Sequence, residues 1–119
     1  MVNSKRDPER DERIAMEIIA DCYNESEQAM GWYYSLEERL RFPFLAKCST
    51  KRGISPLQIH DKVKVVGMAP EEECEHEVFV LIQWERRRLC VPLIQLKPVD
   101  ADEQTTQAVE DWHYWVERG

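Results

Sequence analysis

The chain has 119 residues, 43% hydrophobic and 33% charged, the size and balance of one globular domain with a real core rather than a disordered segment. Its formal charge of -7 excludes the basic footprint that nucleic acid binding needs, and leaves cations or basic partners as fitting counterparts. No apolar run reaches membrane-span length and the charged start lacks a signal peptide's apolar centre, so a cytoplasmic protein without membrane contact is expected. A monomer is the separate expectation for its assembly, which no residue pattern here decides.

Residues 1–9 are polar and without periodicity, a flexible start to a single domain over 10–119. From Asp11, Ile14, Ile18 and Cys22 form an i, i+4 row flanked by Ala15, Ile19 and Tyr23, which predicts a helix of about three turns. Asn24 with Glu27 has the form of a capping box and opens a second helix, whose face is Ala29, Tyr33, Leu36 and Leu40, widened by Met30 and Trp32. Gly31 weakens that helix by about 1 kcal/mol relative to alanine unless something packs closely on its backbone. Pro43 forces Phe42 out of helical geometry and ends it. Glu37 and Glu38 fall in the last turn, at the negative end of the helix dipole, where Arg39 and Arg41 or a bound cation must offset them.

The period then changes to two. Phe42, Phe44, Ala46 and Cys48 share one face of a strand, and Val63 and Val65 alternate with Lys62 and Lys64 in a second strand over 62–68. Residues 78–84, apolar on both faces, turn at 85–88 into 89–91 as a hairpin. Its arginines, Arg86, Arg87 and Arg88, are the one compact basic patch, and charge protection of an edge strand explains them better than RNA contact. Residues 91–99 fit one helical turn and a last short strand. Asp100 with Glu103 repeats the capping signature before a helix whose face is Thr105, Ala108, Val109, Trp112, Trp115 and Val116, tryptophans in a core role, with His113 partly buried and hydrogen-bonded. These elements predict an α+β fold: a small antiparallel SH3-like barrel, or a five-stranded sheet, packed with two N-terminal helices and one C-terminal helix.

Between the strands lies residues 70–77, PEEECEHE. Each pair of its carboxylates held at about 4 Å costs roughly 1 to 4 kcal/mol, which a cation would relieve. If the second half is extended, Glu73, Glu75 and Glu77 point one way and Cys74 and His76 the other. The first face suits Ca²⁺ or Mg²⁺; the second suits Zn²⁺ or copper, with Cys48 or His60 as the further ligands, although no set of three or four stands at zinc spacing. A solvated acidic loop is the plain alternative. The four cysteines are scattered and expected free, and five glutamates around Cys74 oppose its thiolate, so no enzyme is expected. Calcium takes about six to eight oxygens, so the loop needs a second element, Glu37 or Glu38 before the sheet or Asp100 or Asp102 after it. No EF-hand loop is present.

The blocks EQAMGWYYSLEERLRFPF (27–44), ISPL (54–57), GMAPEEECEHEVFV (67–80), VPLIQL (91–96) and DWHYWVERG (111–119) resemble the CcbP-type calcium-binding proteins of cyanobacteria and other bacteria, across nearly the whole chain from residue 10. The resemblance implies a soluble protein that binds Ca²⁺ through clustered surface carboxylates outside any EF-hand, as an intracellular buffer or signalling component without enzymatic activity. It carries that role onto Glu37, Glu38, Glu71, Glu72, Glu73, Glu75 and Glu77, with Glu-Asp common in the family where this chain has Glu37-Glu38. The expected site is thus a loop site on Glu72, Glu73, Glu75 and Glu77, completed by Glu38 and Asp100. The competing class is an interaction module whose acidic face docks a basic protein partner; a Cys/His transition-metal site is the third.

Overall fold

The first helix starts from its cap. Asp7 is extended and its carboxylate accepts the Arg10 N–H at 3.0 Å, while Pro8 follows at a position where no N–H is needed. Helix α1 accordingly runs Pro8–Glu17, ahead of the expected start at Asp11. The computed structural model of the protein describes residues 7–118, so most of the expected flexible start lies outside the described residues. The helix also stops early: the N–H groups of Ile18 and Ile19 both reach the Ile14 carbonyl, and Asp21 is left-handed at φ 61°. Ile14 and Ile18 enter the core, whereas Ala15 and Tyr23 are exposed, a narrower apolar face than the periodicity suggests.

Helix α2 spans Glu25–Arg39, and the Asn24 side chain accepts the Glu27 N–H at 2.9 Å as the capping pattern requires. The return bond differs, since Glu27 accepts from the N–H of Tyr23 at 2.7 Å instead of from Asn24. Ala29, Trp32, Tyr33 and Leu36 are buried along it. Gly31 is where the exit turn of α1 rests on this helix: a Cβ there would stand 2.5 Å from the Ile18 carbonyl oxygen and 3.2 Å from the Cys22 sulfur. That close approach is the reason a glycine sits mid-helix.

Five strands follow: β1 Phe44–Cys48, β2 Lys62–Met68, β3 Phe79–Trp84, β4 Arg87–Pro92 and β5 Leu96–Val99, in the spatial order β4-β3-β2-β1-β5, all antiparallel. Phe44, Ala46, Cys48, Val63, Val65, Val80, Ile82 and Val91 line the buried face. The β3–β4 turn is only Glu85 and Arg86, with Glu85 at φ 54°, so Arg87 and Arg88 belong to an edge strand rather than to the turn. The 3-10 turn Leu93–Gln95 joins β4 to β5 although they lie at opposite edges. A flat five-stranded sheet is about 19 Å across, and three 3-10 residues rise about 6 Å, so the sheet must curl strongly to let its edges be joined. No ladder joins β4 to β5 among the described residues. The expected α+β architecture therefore takes its open-sheet form, with the barrel left unclosed.

Helix α3, Glu103–Arg118, packs with α2 over the curled sheet. Its cap is Asp102, whose carboxylate accepts the Thr105 N–H at 2.8 Å; Asp100, expected in that role, is left-handed at φ 55°. Trp112 meets Trp32 edge to face at 5.2 Å, and both lie in the core as expected. His113 donates from Nε2 to the Leu96 carbonyl at 2.8 Å, and burial pushes its pKa down. Asp111, fully buried on the same helix, takes Arg13 at 2.6 and 3.0 Å, Arg39 at 3.1 Å and Arg10 at 3.1 Å, tying α1 and α2 to α3. Among the described residues no helix is long and apolar enough to cross a membrane.

Candidate metal site

The acidic stretch is not extended. Pro70 is followed by one 3-10 turn, Glu71–Cys74, closed by the Glu73 N–H on the Pro70 carbonyl at 2.9 Å. In such a turn side chains radiate about every 120°, so the alternation that put Cys74 and His76 on one face fails. Cys74 points inward, fully buried; its sulfur accepts the Phe79 N–H at 3.3 Å, and burial raises its pKa. His76 points outward, 3.3 Å from Glu25. Cys48 is buried under Gln95, and His60, exposed, meets it only through a backbone hydrogen bond. The Cys/His metal site thus has no assembled ligand set among the described residues.

The carboxylates are anchored through α2. The Tyr33 hydroxyl donates to the Ala69 carbonyl at 2.8 Å, which fixes the chain just before Pro70 against the helix. Glu71, Glu72 and Glu75 then line an open groove of about 570 Å³ whose other wall is Met30 and Tyr33. Glu37, one turn beyond Tyr33, faces the same tyrosines. The Tyr33 pKa is pushed up to about 12, first by burial and then by Glu37 and the nearby Cys74 and Glu71. Tyr34 is raised chiefly by its hydrogen bond to Glu71, with Glu37 adding to it. One negative field, from two elements, covers this groove.

The remaining expected residues lie elsewhere. Glu77 is held by Arg52 through two bonds of 2.8 and 3.1 Å, so its charge is already answered. Glu73, exposed, exerts its charge on Cys74 and Cys90. Asp100 borders a different cavity, of about 450 Å³, beside Arg41, Phe44 and Lys64. Glu38 is exposed on α2, and its expected offsets turn away: Arg39 goes to Asp111 and Arg41 to Asp102 at 3.3 Å. Glu37, Glu38, Glu71, Glu72 and Glu75 have no ion pair with Lys, Arg or His among the described residues. Nor do three His, Cys, Asp or Glu side chains there converge closely enough to form a metal cage. The spacing of Met30, Tyr33 and Tyr34 does not mark them for this site, although Tyr33 lies one turn from Glu37; Arg52 gives no signal, because it reaches Glu77 from the loop between β1 and β2, across the whole of β2 and the acidic turn.

The Calci_bind_CcbP family model, described as calcium binding, matches residues 12–116. The crystal structure of Anabaena CcbP is similar, at 37% identity with a TM-score of 0.86, over 100% of this chain and 98% of that one. A structure of a calcium binding protein in the calcium-binding form is similar at 36% identity with a TM-score of 0.87, over the same shares. No curated protein matches this chain.

Proposed function

The chain belongs to the CcbP family of calcium-binding proteins, and from that premise we propose that it takes up Ca²⁺ in the groove between α2 and the acidic turn, on Glu71, Glu72 and Glu75, with Glu37 adding its charge from beyond the lining, where it acts on Tyr33 and Tyr34. The observation that carries this reading is that Glu71, Glu72 and Glu75, with no Lys, Arg or His partner among the described residues, line one open groove. Carboxylate oxygens, water and backbone carbonyls are the ligands that a hard cation takes, and Ca²⁺ tolerates irregular geometry where Mg²⁺ demands a near-ideal octahedron. Because the carboxylates stand apart, binding has to draw them together, and part of the binding energy is spent on their ordering. A Kd on the order of 10⁻⁶ to 10⁻⁴ M follows, in the range of weaker sensor sites. Such a protein acts as a calcium buffer or signalling component.

Calorimetric titration of the single variants tests the placement. Glu71→Gln and Glu72→Gln should each weaken Ca²⁺ by about tenfold or more, which is about 1.4 kcal/mol. Asp100→Asn should leave the affinity unchanged, and Glu77→Gln should leave it within about twofold, a few tenths of a kcal/mol. Equal losses at Asp100 and Glu71 would place the site elsewhere on the acidic surface.

A further inference from the structure

The sheet has two faces, and the one turned to solvent is basic. Alternation along the strands sends Phe44, Ala46, Val63 and Val65 to the core and Leu45, Lys47, Lys62 and Lys64 outward. The register then aligns cations across neighbouring strands: Lys47 on β1 stands directly opposite Lys62 on β2 and Lys97 on β5. Two residues along, Lys64 is opposite Gln83, and Gln83 is opposite Arg88 on β4. Acidic residues outnumber basic ones 23 to 16 in the chain, yet none of the five strands carries an Asp or a Glu.

Neither solubility nor edge protection accounts for this row. Cross-strand partners lie about 4.5–5.5 Å apart at Cβ, where opposite charges stabilise a sheet and like charges weaken it. Alternating lysine and glutamate would keep the face soluble and add stability. Lysines do guard sheet edges, but β1 and β2 are interior strands, so Lys47 and Lys62 have no edge to guard. Lys47, Lys62, Lys64 and Lys97 have no ion pair with Asp or Glu among the described residues. Their positive field is left for a group from outside the chain.

An apolar foothold adjoins the lysines. Leu45, 53% exposed, is opposite Val99, and the two line the cavity of about 450 Å³ together with Lys64. Asp102 on its wall is matched by Arg41, and Asp100 lies past Val99, on the side away from Lys97. Lys97, at the sheet edge, also borders a cavity with Glu110 and Glu117, which leaves Lys47, Lys62 and Lys64 as the main contacts. From Leu45 to Lys47 is two residues, about 6.8 Å of extended chain, and a guest strand has the same repeat. A segment with an apolar side chain and, two residues on, a carboxylate therefore meets the cavity and the lysines in register. A nucleic acid or an anionic membrane would also face the rest of a chain of formal charge -7, whereas a short segment feels only the field within a Debye length of about 8 Å. We infer that the outer face of the sheet docks an extended acidic segment of a partner protein, its apolar residue seated at Leu45 and Val99 and its carboxylates over Lys47, Lys62 and Lys64.

The test uses the full chain without calcium and three short peptides, acetylated and amidated. One has a leucine followed by glutamates two and four residues later; the second has glutamine for both glutamates, and the third has serine for the leucine. Backbone ¹H–¹⁵N signals locate the binding. The acidic peptide should shift Leu45, Lys47, Lys62 and Val99 to saturation and leave the acidic turn Glu71–Cys74, beyond the far end of β2, unmoved. The glutamine peptide should bind about fivefold or more weakly, the effect of losing two exposed charge pairs. The serine peptide should bind about tenfold more weakly, the effect of losing one apolar side chain from the cavity. The Lys62→Gln, Lys64→Gln double variant changes two exposed positions that face like or neutral neighbours, so it should fold as the parent does and lose affinity for the acidic peptide about fivefold or more. Equal binding of the glutamine peptide, shifts confined to other surfaces, or full affinity of the double variant would each overturn the assignment. So would peptides that leave the face unmoved while phosphatidylserine vesicles or a second copy of the chain, seen by sedimentation, engage it: the face would then belong to a membrane or to self-association.

Discussion

Asp111 is a buried carboxylate to which Arg10, Arg13 and Arg39 converge from two other helices, and its charge is what permits those guanidiniums to be largely covered. Arg13 shows the coupling: its pKa is raised, chiefly by the hydrogen bond to Asp111 and against the opposing effect of burial. Removing one member of such a set leaves the others uncompensated, which costs about 3–5 kcal/mol when the group is truly buried. Asp111→Asn keeps the shape and loses the charge, so a loss of about that size should appear as a lower urea midpoint. Asp102→Asn is the control at the start of the same helix, because asparagine caps nearly as well as aspartate and the Arg41 pair it loses is exposed. Similar midpoints for both variants would show that the arginines are adequately solvated without Asp111. The groove proposed for calcium has the opposite character at this scale: Glu71 and Glu72 are exposed and have no cationic partner among the described residues.

At the level of elements, Gly31 connects helix propensity to packing. Alanine would strengthen an isolated helix by about 1 kcal/mol, but here its Cβ would press on the Ile18 carbonyl, a backbone atom that can move only if the whole exit turn of α1 moves. Gly31→Ala should therefore lower the urea midpoint, with a net loss of about 1–3 kcal/mol typical of overpacking; a raised midpoint would mean that the turn yields freely. Local signals of this kind were legible before the fold was known. The glycine, the Asn24 cap, strand β2 over Lys62–Met68 and the helical turn before β5 all follow from periodicity and turn chemistry. What was not legible depended on long-range contact. The run of glutamates has no period of its own, and it coils into a 3-10 turn because Cys74 is drawn under Phe79 and Tyr33 fixes Ala69. Asp100 lost the cap to Asp102 for a local reason, since Asp102 is the residue whose carboxylate reaches Thr105. Asp111 did leave a trace: it stands three residues after Ala108 and four before Trp115, on the apolar face, where a charge signals a buried partner. The grouping of Glu71, Glu72 and Glu75 against α2, apart from Asp100, is a property of the sheet's curl that no spacing along the chain expresses.

For the molecule as a whole, a formal charge of -7 means that folding gathers like charges, and the free groove carries a concentrated share of them. Dissolved salt relieves such repulsion without binding, since the Debye length falls from about 10 Å at 0.1 M to about 3 Å at 1 M. A bound ion does something further, because it stabilises only the folded state that assembles its ligands. At a free Ca²⁺ concentration of about 100 Kd that linkage adds about 2.7 kcal/mol to the unfolding free energy. For a domain of this size the corresponding rise in Tm is about 10 °C. Thermal unfolding followed by circular dichroism separates the two effects when Ca²⁺, Mg²⁺ and NaCl are compared at matched ionic strength. Ca²⁺ should give the full rise, Mg²⁺ less because it surrenders its water reluctantly to irregular carboxylates, and NaCl the small rise due to screening. The Glu71→Gln, Glu72→Gln double variant completes the argument. Without calcium it should melt no lower than the parent, since two repelling charges are gone, and calcium should no longer raise its Tm appreciably. A calcium response that survives both substitutions would move the site off this groove, and a variant that melts well below the calcium-free parent would make these glutamates part of the scaffold.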